Sequence, residues 1–477
     1  MKTADEYVAS LAAMKHNVWM HGAKVDRPWE HPQIVPGINI VRLTYEWPHR
    51  PEHQELVTAT SHLTGQTINR FTHIHHSTED LQKKVEMTRL YCRETLCIQR
   101  CMGVDALNAL SIITHRADSM FGTQYYPRLE NFVRYFQEND LVGNAAMTDV
   151  KGDRSLRPHQ QPDPDMYLHI VEKRADGVVV RGAKAHNTLA PYAHELIVLP
   201  TRDMGAEDAD YAIAFAIQAD APGITMICRG AAPSVRREMA SPFSSRYASV
   251  ESLTVFDDVF VPWERVFLCG EWPLAGFLAE CFATYHRHSY CGCKPAISDL
   301  LLGAAALVAE YNGIEKAHHV RDKLTELMIT AELVHGAGLA ASMKGQPMTS
   351  GTYLPDLVYA NVGKYYAGTN LHHEAALLQD LAGGLLVTMP SEEDYQSQEL
   401  GAILRKYLAG PADVAVDDRV RCFRLIEDLT ASKFAGLAMV AGVHGGGSPE
   451  AERLAIQRSY DVETRKQMAK RAAGITS

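Results

Sequence analysis

Two short segments of the chain carry residues with the chemistry of metal ligands. In LCIQRCMG, Cys97 and Cys101 are four positions apart, which on a helix places both thiols on one face, one turn apart. In YHRHSYCGCKP, His286, Tyr290 and Cys293 stand at i, i+4 and i+7, so a helix would also project these three from one face. Thiolate and imidazole ligands suit iron–sulfur clusters, copper(I) or zinc. The two segments together therefore offer the ligands of a soft metal site.

The same residues also have a purely structural interpretation. Free cysteine is among the most buried residue types, so Cys97 and Cys101 can be small apolar residues of an amphipathic helix. A further 185 positions separate Cys101 from His286, and no sequence rule shows that the two segments meet. Cys291, at i+5 from His286, is expected to point away from the other three residues. Spacing alone leaves both metal binding and core packing open.

The elements that would position these residues fall into three successive regions. Residues 1–139 show mainly helical periodicity, with a long periodic segment from Thr78 through Leu110. Residues 140–271 contain short β-rich runs, such as GVVVRG, HELIVLP and SLTVFDDVFVP, separated by Gly, Pro and Asp. Helical periodicity returns over residues 272–477. This order predicts an α+β fold with an N-terminal helical domain, a middle β domain and a C-terminal helical domain.

The glycine patterns do not predict a nucleotide-binding loop. The loose G-x-G-x-x-A match at Gly336, Gly338 and Ala341 lies inside a helical pattern without a preceding strand, so a Rossmann site is not expected. HGGGSP at 444–449 lacks the Lys-Ser or Lys-Thr of a phosphate loop. We interpret it as a turn that ends a helix near the cofactor.

Composition excludes several classes of function. A formal net charge of −10, without a basic run, argues against a general nucleic-acid binder. The first residues include acidic side chains and too short an apolar run for a signal peptide, and no segment predicts a membrane span of about 20 apolar residues. We therefore expect a cytoplasmic protein, in which the nine cysteines stay reduced and form no disulfide framework.

Distinctive motifs extend over nearly the whole chain. They are NAAMTDVKGDRS (144–155), GAKAHNTLAP (182–191), ESLTVFDDVFVPWERVF (251–267), HRHSYCGCKPAISDLLLGAA (286–305), QDLAGGLLVTMPSEED (379–394) and HGGGSPEAERL (444–454). With the cysteine segment, they resemble the 4-hydroxybutyryl-CoA dehydratase and vinylacetyl-CoA delta-isomerase family, within the wider 4-hydroxyphenylacetate 3-monooxygenase superfamily. Flavin monooxygenases of that superfamily share the scaffold but lack the cluster ligands, so the four potential ligands select the dehydratase branch.

The resemblance implies a fold, an assembly and a reaction. The fold is acyl-CoA dehydrogenase-like, and the assembly is a homotetramer in which neighbouring subunits help to enclose FAD. The reaction is the radical dehydration of 4-hydroxybutyryl-CoA, or a close hydroxyacyl-CoA, to crotonyl-CoA, together with isomerisation of vinylacetyl-CoA. The thioester does not acidify the β hydrogen, so the family's proposed route removes the α proton and passes one electron to FAD. A [4Fe–4S] cluster then assists the loss of hydroxide as a Lewis acid.

The same resemblance assigns roles at the reaction centre. The implied cluster ligands are Cys97, Cys101, His286 and Cys293. His286 also serves as a candidate base, although a ligating imidazole must be neutral or must leave the iron to accept a proton. The other implied catalytic residues, which hold or move protons, are Glu251, Tyr290 and Lys294. Without the resemblance, these three would be a surface carboxylate, a packed ring and a solvated cation.

Further residues are implied to contact the cofactor. Gln99 and Thr188 match positions that hydrogen-bond near the substrate or the flavin. The implied FAD contacts are Asn144, Met147, Thr148, Lys151, Asp153, Arg154 and Thr188, with Gln379, Gly383 and Gly384 reaching in from a neighbouring subunit. Glycine permits close approach of the backbone to a cofactor, although glycine more often marks a turn.

One stretch departs from the family pattern. The family has a catalytic glutamate just upstream of the HGxGSP turn, whereas the matching residues 439–443 are MVAGV. Glu427, Glu450 and Glu452 flank the turn, but none aligns with that place. The identity of the acyl group therefore stays open.

Two other functions remain open from the sequence. The first is a flavin-dependent aromatic monooxygenase of the 4-hydroxyphenylacetate 3-hydroxylase type, which would use reduced flavin and oxygen. The second is a structural zinc protein, in which metal removal would lower stability without any flavin signal.

Overall fold

The computed structural model describes residues 1–235, 237 and 239–475. Its first part is mainly helical but also contains short strands, which the sequence analysis did not predict. The helices are α1 (Ala4–Ala13), α2 (Val35–Glu46), α3 (Pro51–Val57), α4 (Thr78–Thr95), α5 (Cys101–Phe121) and α6 (Tyr125–Glu138). The strands are β1 (Val18–Met20), β2 (Ala23–Val25), β3 (Thr58–Thr60) and β4 (Thr67–Asn69).

The middle of the chain forms two sheets. Its strands are β5 (Gly143–Ala146), β6 (His169–Lys173), β7 (Gly177–Lys184), β8 (Glu195–Val198), β9 (Ile213–Gln218), β10 (Ile224–Gly230), β11 (Val250–Pro262) and β12 (Val266–Cys269). The larger sheet has the order β2-β1-β10-β11-β7-β6, so β1 and β2 from the first part complete one edge. The smaller sheet has the order β12-β9-β8-β5. The runs GVVVRG, HELIVLP and SLTVFDDVFVP overlap β7, β8 and β11, as predicted.

Helices return in the last part of the chain, with one short hairpin between them. The main helices are α7 (Trp272–Tyr311), α8 (His318–Met343) and α9 (Leu357–Ala382), and the hairpin consists of β13 (Gln346–Pro347) and β14 (Tyr353–Leu354). The shorter helices are α10 (Glu392–Gln396), α11 (Gly401–Tyr407), α12 (Val416–Thr430), α13 (Lys433–His444), α14 (Pro449–Ser459) and α15 (Val462–Ala472).

Helix α7 is the centre of the helical packing. It contacts α4, α5, α8 and α9. By length and composition it is apolar enough to cross a membrane, which the sequence analysis did not expect, but 61% of its most apolar stretch is buried inside the protein. A helix that is apolar on all sides is typical of a protein core, and its neighbours account for the composition of α7.

The order of elements agrees with the predicted mixed α and β class. The predicted boundaries at 139/140 and 271/272 stay predictions, and β1 and β2 show that the first region also contributes to the middle sheet. Residues 476 and 477 of the predicted C-terminal domain lie outside the described residues.

Candidate active site

A large cavity lies where the loop between α4 and α5, strand β11 and helices α7 and α13 come together. Its volume is about 1410 Å³. Typical small-molecule sites occupy roughly 300–1,000 Å³, so this cavity has room for more than one organic ligand. The predicted site residues that line it are Cys97, Gln99, Cys101, Met147, Thr148, Lys151, Arg154, Thr188, Glu251, His286, Tyr290, Cys293 and Lys294.

The loop between α4 and α5 carries two of the cysteines, and here the predicted continuous helix is wrong. Leu96 and Gln99 both adopt a left-handed φ of 60°, which interrupts the helix before Cys101 begins α5. Cys97 therefore lies in a loop with its side chain exposed, and not one helical turn from Cys101. Left-handed conformations are unfavourable for residues with a Cβ. A contact with a distant residue supports the left-handed conformation of Gln99, because the hydroxyl of Tyr192 donates to Oε1 of Gln99 at 2.6 Å.

Helix α7 carries the second predicted segment, and its helical conformation is confirmed. His286, Tyr290 and Cys293 all line the cavity. Cys291 points elsewhere, as predicted, and its thiol donates to the carbonyl oxygen of Ala360 at 3.8 Å. The two distant segments of the sequence therefore meet at one cavity.

A buried network surrounds His286. Its Nδ1 lies 3.0 Å from Oδ2 of Asp105, which also accepts from the hydroxyl of Ser289 at 3.0 Å. The ammonium of Lys84 lies 2.5 Å from Oδ1 of Asp105. Burial opposes ionisation of Asp105, but Lys84 and His286 outweigh it, so the pKa of this carboxyl is lowered. Ligand atoms of Cys101, Asp105 and His286 lie within 4.8 Å of one another, so His286 stands close to Cys101.

The thiols near the cavity differ in acidity. Cys97 is exposed to the cavity, yet the surrounding protein desolvates it and raises its pKa to about 12. Burial raises the pKa of Cys101 well above its ordinary value. The pKa of Cys293 is lowered to about 7, chiefly by a hydrogen bond from Cys92 and also by Lys294. Thiols of high pKa stay protonated unless a metal cation replaces the proton. Cys92 was missed in the sequence analysis.

Glu251 reaches the cavity from strand β11. Alternate residues of β11 around it are buried in the core, so the strand period turns Glu251 to the cavity side. Thr188 donates its hydroxyl to Oε2 of Glu251 at 2.6 Å. Burial raises the pKa of the Glu251 carboxyl, which makes it a stronger base than an exposed glutamate. Arg229 on β10 stands opposite Glu251 on β11 in the strand register and also lines the cavity. The sequence analysis did not identify it.

The ring of Tyr290 lies among charged and aromatic groups. Its centroid is 5.1 Å from that of His286, and the ammonium groups of Lys294 and Lys364 lie 4.8 Å and 4.9 Å from it. Burial raises the pKa of the Tyr290 phenol well above its ordinary value. Tyr290 therefore remains a hydrogen-bond donor at neutral pH.

The HGGGSP segment forms a turn that ends a helix, as predicted. Helix α13 ends at His444, and the three following glycines pack on α7. A Cβ at Gly445 would lie 1.7 Å from Oη of Tyr290, and one at Gly447 would lie 2.6 Å from Nη2 of Arg287. The turn thus approaches α7 more closely than any residue with a side chain would allow.

Residues 439–443, the stretch that matches the family's glutamate, supply no carboxylate to the cavity wall. Residues 439–441 line the cavity with apolar side chains only. Glu427 and Glu450 form ion pairs with arginines three residues away. Glu452 is fully buried, 3.1 Å from the equally buried Lys364, and burial raises the pKa of its carboxyl. Glu452 is close to the site but does not line the cavity.

A second buried carboxyl near the site was also missed. Glu374, on α9, accepts a hydrogen bond from the hydroxyl of Ser298 at 2.5 Å and is only 3% exposed. Burial raises its pKa to about 7, although Lys294 acts in the opposite direction. Glu374 directly precedes the apolar residues AALL of a helical segment, and this position is the signal that could have identified it.

The predicted FAD contacts divide into two groups. Those that line the cavity are Met147, Thr148, Lys151, Arg154 and Thr188. Asn144 lies behind them, and its amide donates to the carbonyl oxygen of Thr188 at 2.7 Å. Asp153 is exposed and accepts a hydrogen bond from the hydroxyl of Ser155 at 2.7 Å.

The three residues predicted to reach a neighbouring subunit do not line this cavity. The amide of Gln379 donates to the carbonyl oxygen of Thr430 at 2.9 Å. Gly383 and Gly384 are exposed just after α9, and Gly383 has a φ of 71°. Their role at the FAD site of another subunit stays a prediction.

Comparisons with known proteins place the chain among flavin-dependent relatives. The family models "4-hydroxyphenylacetate 3-hydroxylase N terminal" and "C terminal" match residues 3–268 and 275–474. The 4-hydroxybutyryl-CoA dehydratase/vinylacetyl-CoA-Δ-isomerase of Clostridium aminobutyricum is 42% identical over 488 aligned residues, covering 100% of both chains.

Solved structures agree with this relationship. An oxygen-tolerant archaeal 4-hydroxybutyryl-CoA dehydratase from N. maritimus has a TM-score of 0.96 and 41% identity, covering 100% of this chain and 95% of that one. The oxygenase component of 4-hydroxyphenylacetate 3-monooxygenase, complexed with FAD, has a TM-score of 0.89 and 27% identity, covering 98% of each chain. Glutaryl-coenzyme A dehydrogenase, with a TM-score of 0.50 and 13% identity over 85% of this chain and 82% of its own, shares the fold alone.

Proposed function

This chain belongs to the 4-hydroxyphenylacetate 3-hydroxylase family and, within it, to the 4-hydroxybutyryl-CoA dehydratases, and from this premise we propose that it is an acyl-CoA dehydratase and isomerase. Its substrate is 4-hydroxybutyryl-CoA or a close hydroxyacyl-CoA, which loses water to give crotonyl-CoA. Vinylacetyl-CoA is isomerised to crotonyl-CoA in the same cavity. The observation that carries the proposal is the meeting of Cys97, Cys101, Cys293 and His286 around one cavity.

The donor set fits an iron–sulfur cluster better than a single ion. Three thiols and one imidazole are soft ligands, and the raised pKa values of Cys97 and Cys101 indicate groups that need a cation to lose their protons. Among the described residues, the tight group of ligand atoms contains Cys101 and His286 but neither Cys97 nor Cys293. In a cluster each ligand binds its own iron, so the ligands stand farther apart than those around one ion. We propose a [4Fe–4S] cluster here.

FAD is the second cofactor that we propose. The cavity is larger than one substrate requires, and a solved relative is described as complexed with FAD. Lys151 and Arg154 supply positive charge on the cavity wall, which suits the phosphates of a dinucleotide. Thr148 and Thr188 add hydroxyl groups to the same wall. When bound, FAD and the cluster supply one-electron transfer and a Lewis-acidic iron.

The chain's own residues handle the protons. The carboxylate of Glu251 is desolvated and is oriented by the hydroxyl of Thr188, so it is suited to take a proton from the carbon next to the thioester. The phenol of Tyr290 stays protonated and is suited to donate a hydrogen bond to the departing hydroxyl. The ammonium of Lys294, beside the Tyr290 ring, adds positive charge where negative charge leaves.

Assembly and location complete the proposal. We propose a homotetramer in which Gln379, Gly383 and Gly384 of one subunit contact the FAD of its neighbour. All three lie in the last turn of α9 or just after it and do not line their own cavity, which is consistent with such a role. We also propose a cytoplasmic location, where the ligand thiols stay reduced.

The test begins with anaerobic purification. Iron, acid-labile sulfide and FAD are measured, the protein is incubated with 4-hydroxybutyryl-CoA or vinylacetyl-CoA, and the products are identified by mass. We expect all three cofactor components and crotonyl-CoA from both substrates. A preparation with FAD but without iron and sulfide, which hydroxylates a phenol with reduced flavin and oxygen, would instead establish the monooxygenase function.

Matched cysteine variants sharpen this test. Cys97→Ala removes a proposed ligand, and we expect it to lower cluster content and dehydratase activity together. Cys422→Ala removes a buried cysteine of α12 that does not line the cavity, and we expect it to keep both. Loss of a single zinc ion on Cys97→Ala, with reduced stability and no flavin signal in either protein, would establish the structural zinc alternative.

A further inference from the structure

A buried carboxylate holds the imidazole of His286 from behind. Oδ2 of Asp105 lies 3.0 Å from Nδ1 of His286, and Asp105 is fully buried. An ionised carboxylate only accepts hydrogen bonds, so Nδ1 of His286 must carry the proton in this contact. The lone pair of the neutral ring then lies on Nε2. His286 is thus left with one nitrogen for any other partner.

Asp105 itself has little capacity left for a metal. The ammonium of Lys84 lies 2.5 Å from Oδ1, and the hydroxyl of Ser289 lies 3.1 Å from Oδ1 and 3.0 Å from Oδ2. Lys84, Ser289 and His286 are therefore three donors to Asp105, and they occupy most of the roughly four lone-pair sites of a carboxylate. Although Asp105 stands within 4.8 Å of the Cys101 and His286 ligand atoms, its contacts suit an anchor better than a ligand.

The anchor is itself fixed. Lys84 is 1% exposed, and its ammonium also donates to the carbonyl oxygen of Tyr285 at 2.8 Å. Lys84 comes from α4, Asp105 from α5, and His286 and Ser289 from α7, so three packed helices hold the carboxylate. A buried charge without a partner is strongly unfavourable, so this pair resists rearrangement.

We propose that Asp105 is a positioning residue that fixes His286 in the tautomer with Nε2 free to bind the cluster iron. This inference rests on the proposed function, because it requires an inorganic centre beside Cys101. It also has a consequence for mechanism. Since Nδ1 is committed to Asp105, His286 binds iron or accepts a substrate proton through the same nitrogen, and the two roles exclude each other at any one moment.

The experiment measures how tightly the cluster is held. Anaerobic Asp105→Asn protein is challenged with an iron chelator, and the chelator concentration that removes half of the iron is compared with that for the unchanged protein. We expect this concentration to fall by about 10- to 100-fold, the usual effect of losing a carboxylate behind a ligating histidine. In a His286→Ala background, Asp105→Asn should cause no further loss, because the ligand that it positions is absent.

Asp208→Asn is the matched control. Asp208 is also fully buried and also contacts a histidine, with Nδ1 of His159 at 2.6 Å, but neither residue lines the cavity. We expect this variant to hold its iron as tightly as the unchanged protein. A purely structural effect of changing a buried aspartate would appear in both variants.

A second variant guards against misfolding. Asp105→Asn leaves Lys84 buried without its charged partner, so Lys84→Met combined with Asp105→Leu removes both charges and also deprives His286 of its acceptor. Unchanged chelator resistance in the folded double variant would overturn the proposal. An equal loss of resistance on Asp105→Asn with and without the His286→Ala substitution would overturn it as well. Unchanged protein that never holds iron would refute the proposed function itself, and this inference with it.

Discussion

The contact between Gly445 and Tyr290 gives a sharp test of the active-site geometry. In Gly445→Ala, the new Cβ would lie 1.7 Å from Oη of Tyr290, whereas ordinary contacts begin at 3.4 Å. The hydroxyl or the turn must therefore move by about 1.7 Å, the difference between these two distances. A displacement of about 1 Å at a reacting group can lower a rate by about 100-fold, so we expect at least that loss of dehydratase turnover.

The assay combines turnover with cofactor content and thermal unfolding. Overpacking a well-packed site typically destabilises the folded protein by about 1–3 kcal/mol. The thermal unfolding midpoint of Gly445→Ala should therefore fall while iron and FAD remain bound. Gly436→Ala, inside the preceding helix α13, is the control, because a Cβ there meets nothing within 4 Å. It should keep full turnover and gain about 0.5–1 kcal/mol of stability. Full turnover in Gly445→Ala would show that the position of the Tyr290 hydroxyl does not matter for the reaction.

Two further predictions concern the buried charges around the site. The pKa of Glu374 is raised from 4.5 to about 7 in the folded protein, so its ionisation destabilises the fold as pH rises through that interval, by roughly 3 kcal/mol in total. Glu374→Gln should therefore gain stability relative to the unchanged protein between pH 5 and pH 8 in denaturant titrations, and a constant difference would contradict the assignment. Lys364→Met leaves Glu452 buried without its partner and should lower the free energy of unfolding by about 3–5 kcal/mol. Lys364→Met combined with Glu452→Gln should recover most of that loss, and equal destabilisation in both variants would count against the ion pair.

Sequence reasoning worked best where structure is set locally. The helical spacing of His286, Tyr290 and Cys293 predicted their shared face on α7, and the β-rich runs predicted the strand that carries Glu251. The family resemblance, based on motifs along the chain, is confirmed by the comparisons. It also supplied the pairing of distant segments that spacing alone left open.

The missed features all depend on contacts between distant parts of the chain. The periodicity from Thr78 through Leu110 predicted one helix, but Gln99 turns left-handed beside Tyr192, a residue 93 positions away. Asp105 was overlooked because its partner His286 lies 181 positions along the chain. An aspartate in the apolar run VDALNALSII was the available signal, since an unpaired charge is rarely buried.

The loop between α4 and α5 has a consequence for handling the protein. Two proposed ligands lie at Cys97 and Cys101, in or beside a short loop, and the others lie on the rigid helix α7. An inorganic centre there would act as a cross-link between segments 185 positions apart, in addition to the contacts that already bury Ile98, Gln99 and Arg100. Material that has lost its iron to air should therefore have a lower thermal unfolding midpoint than iron-loaded material, because it lacks this cross-link.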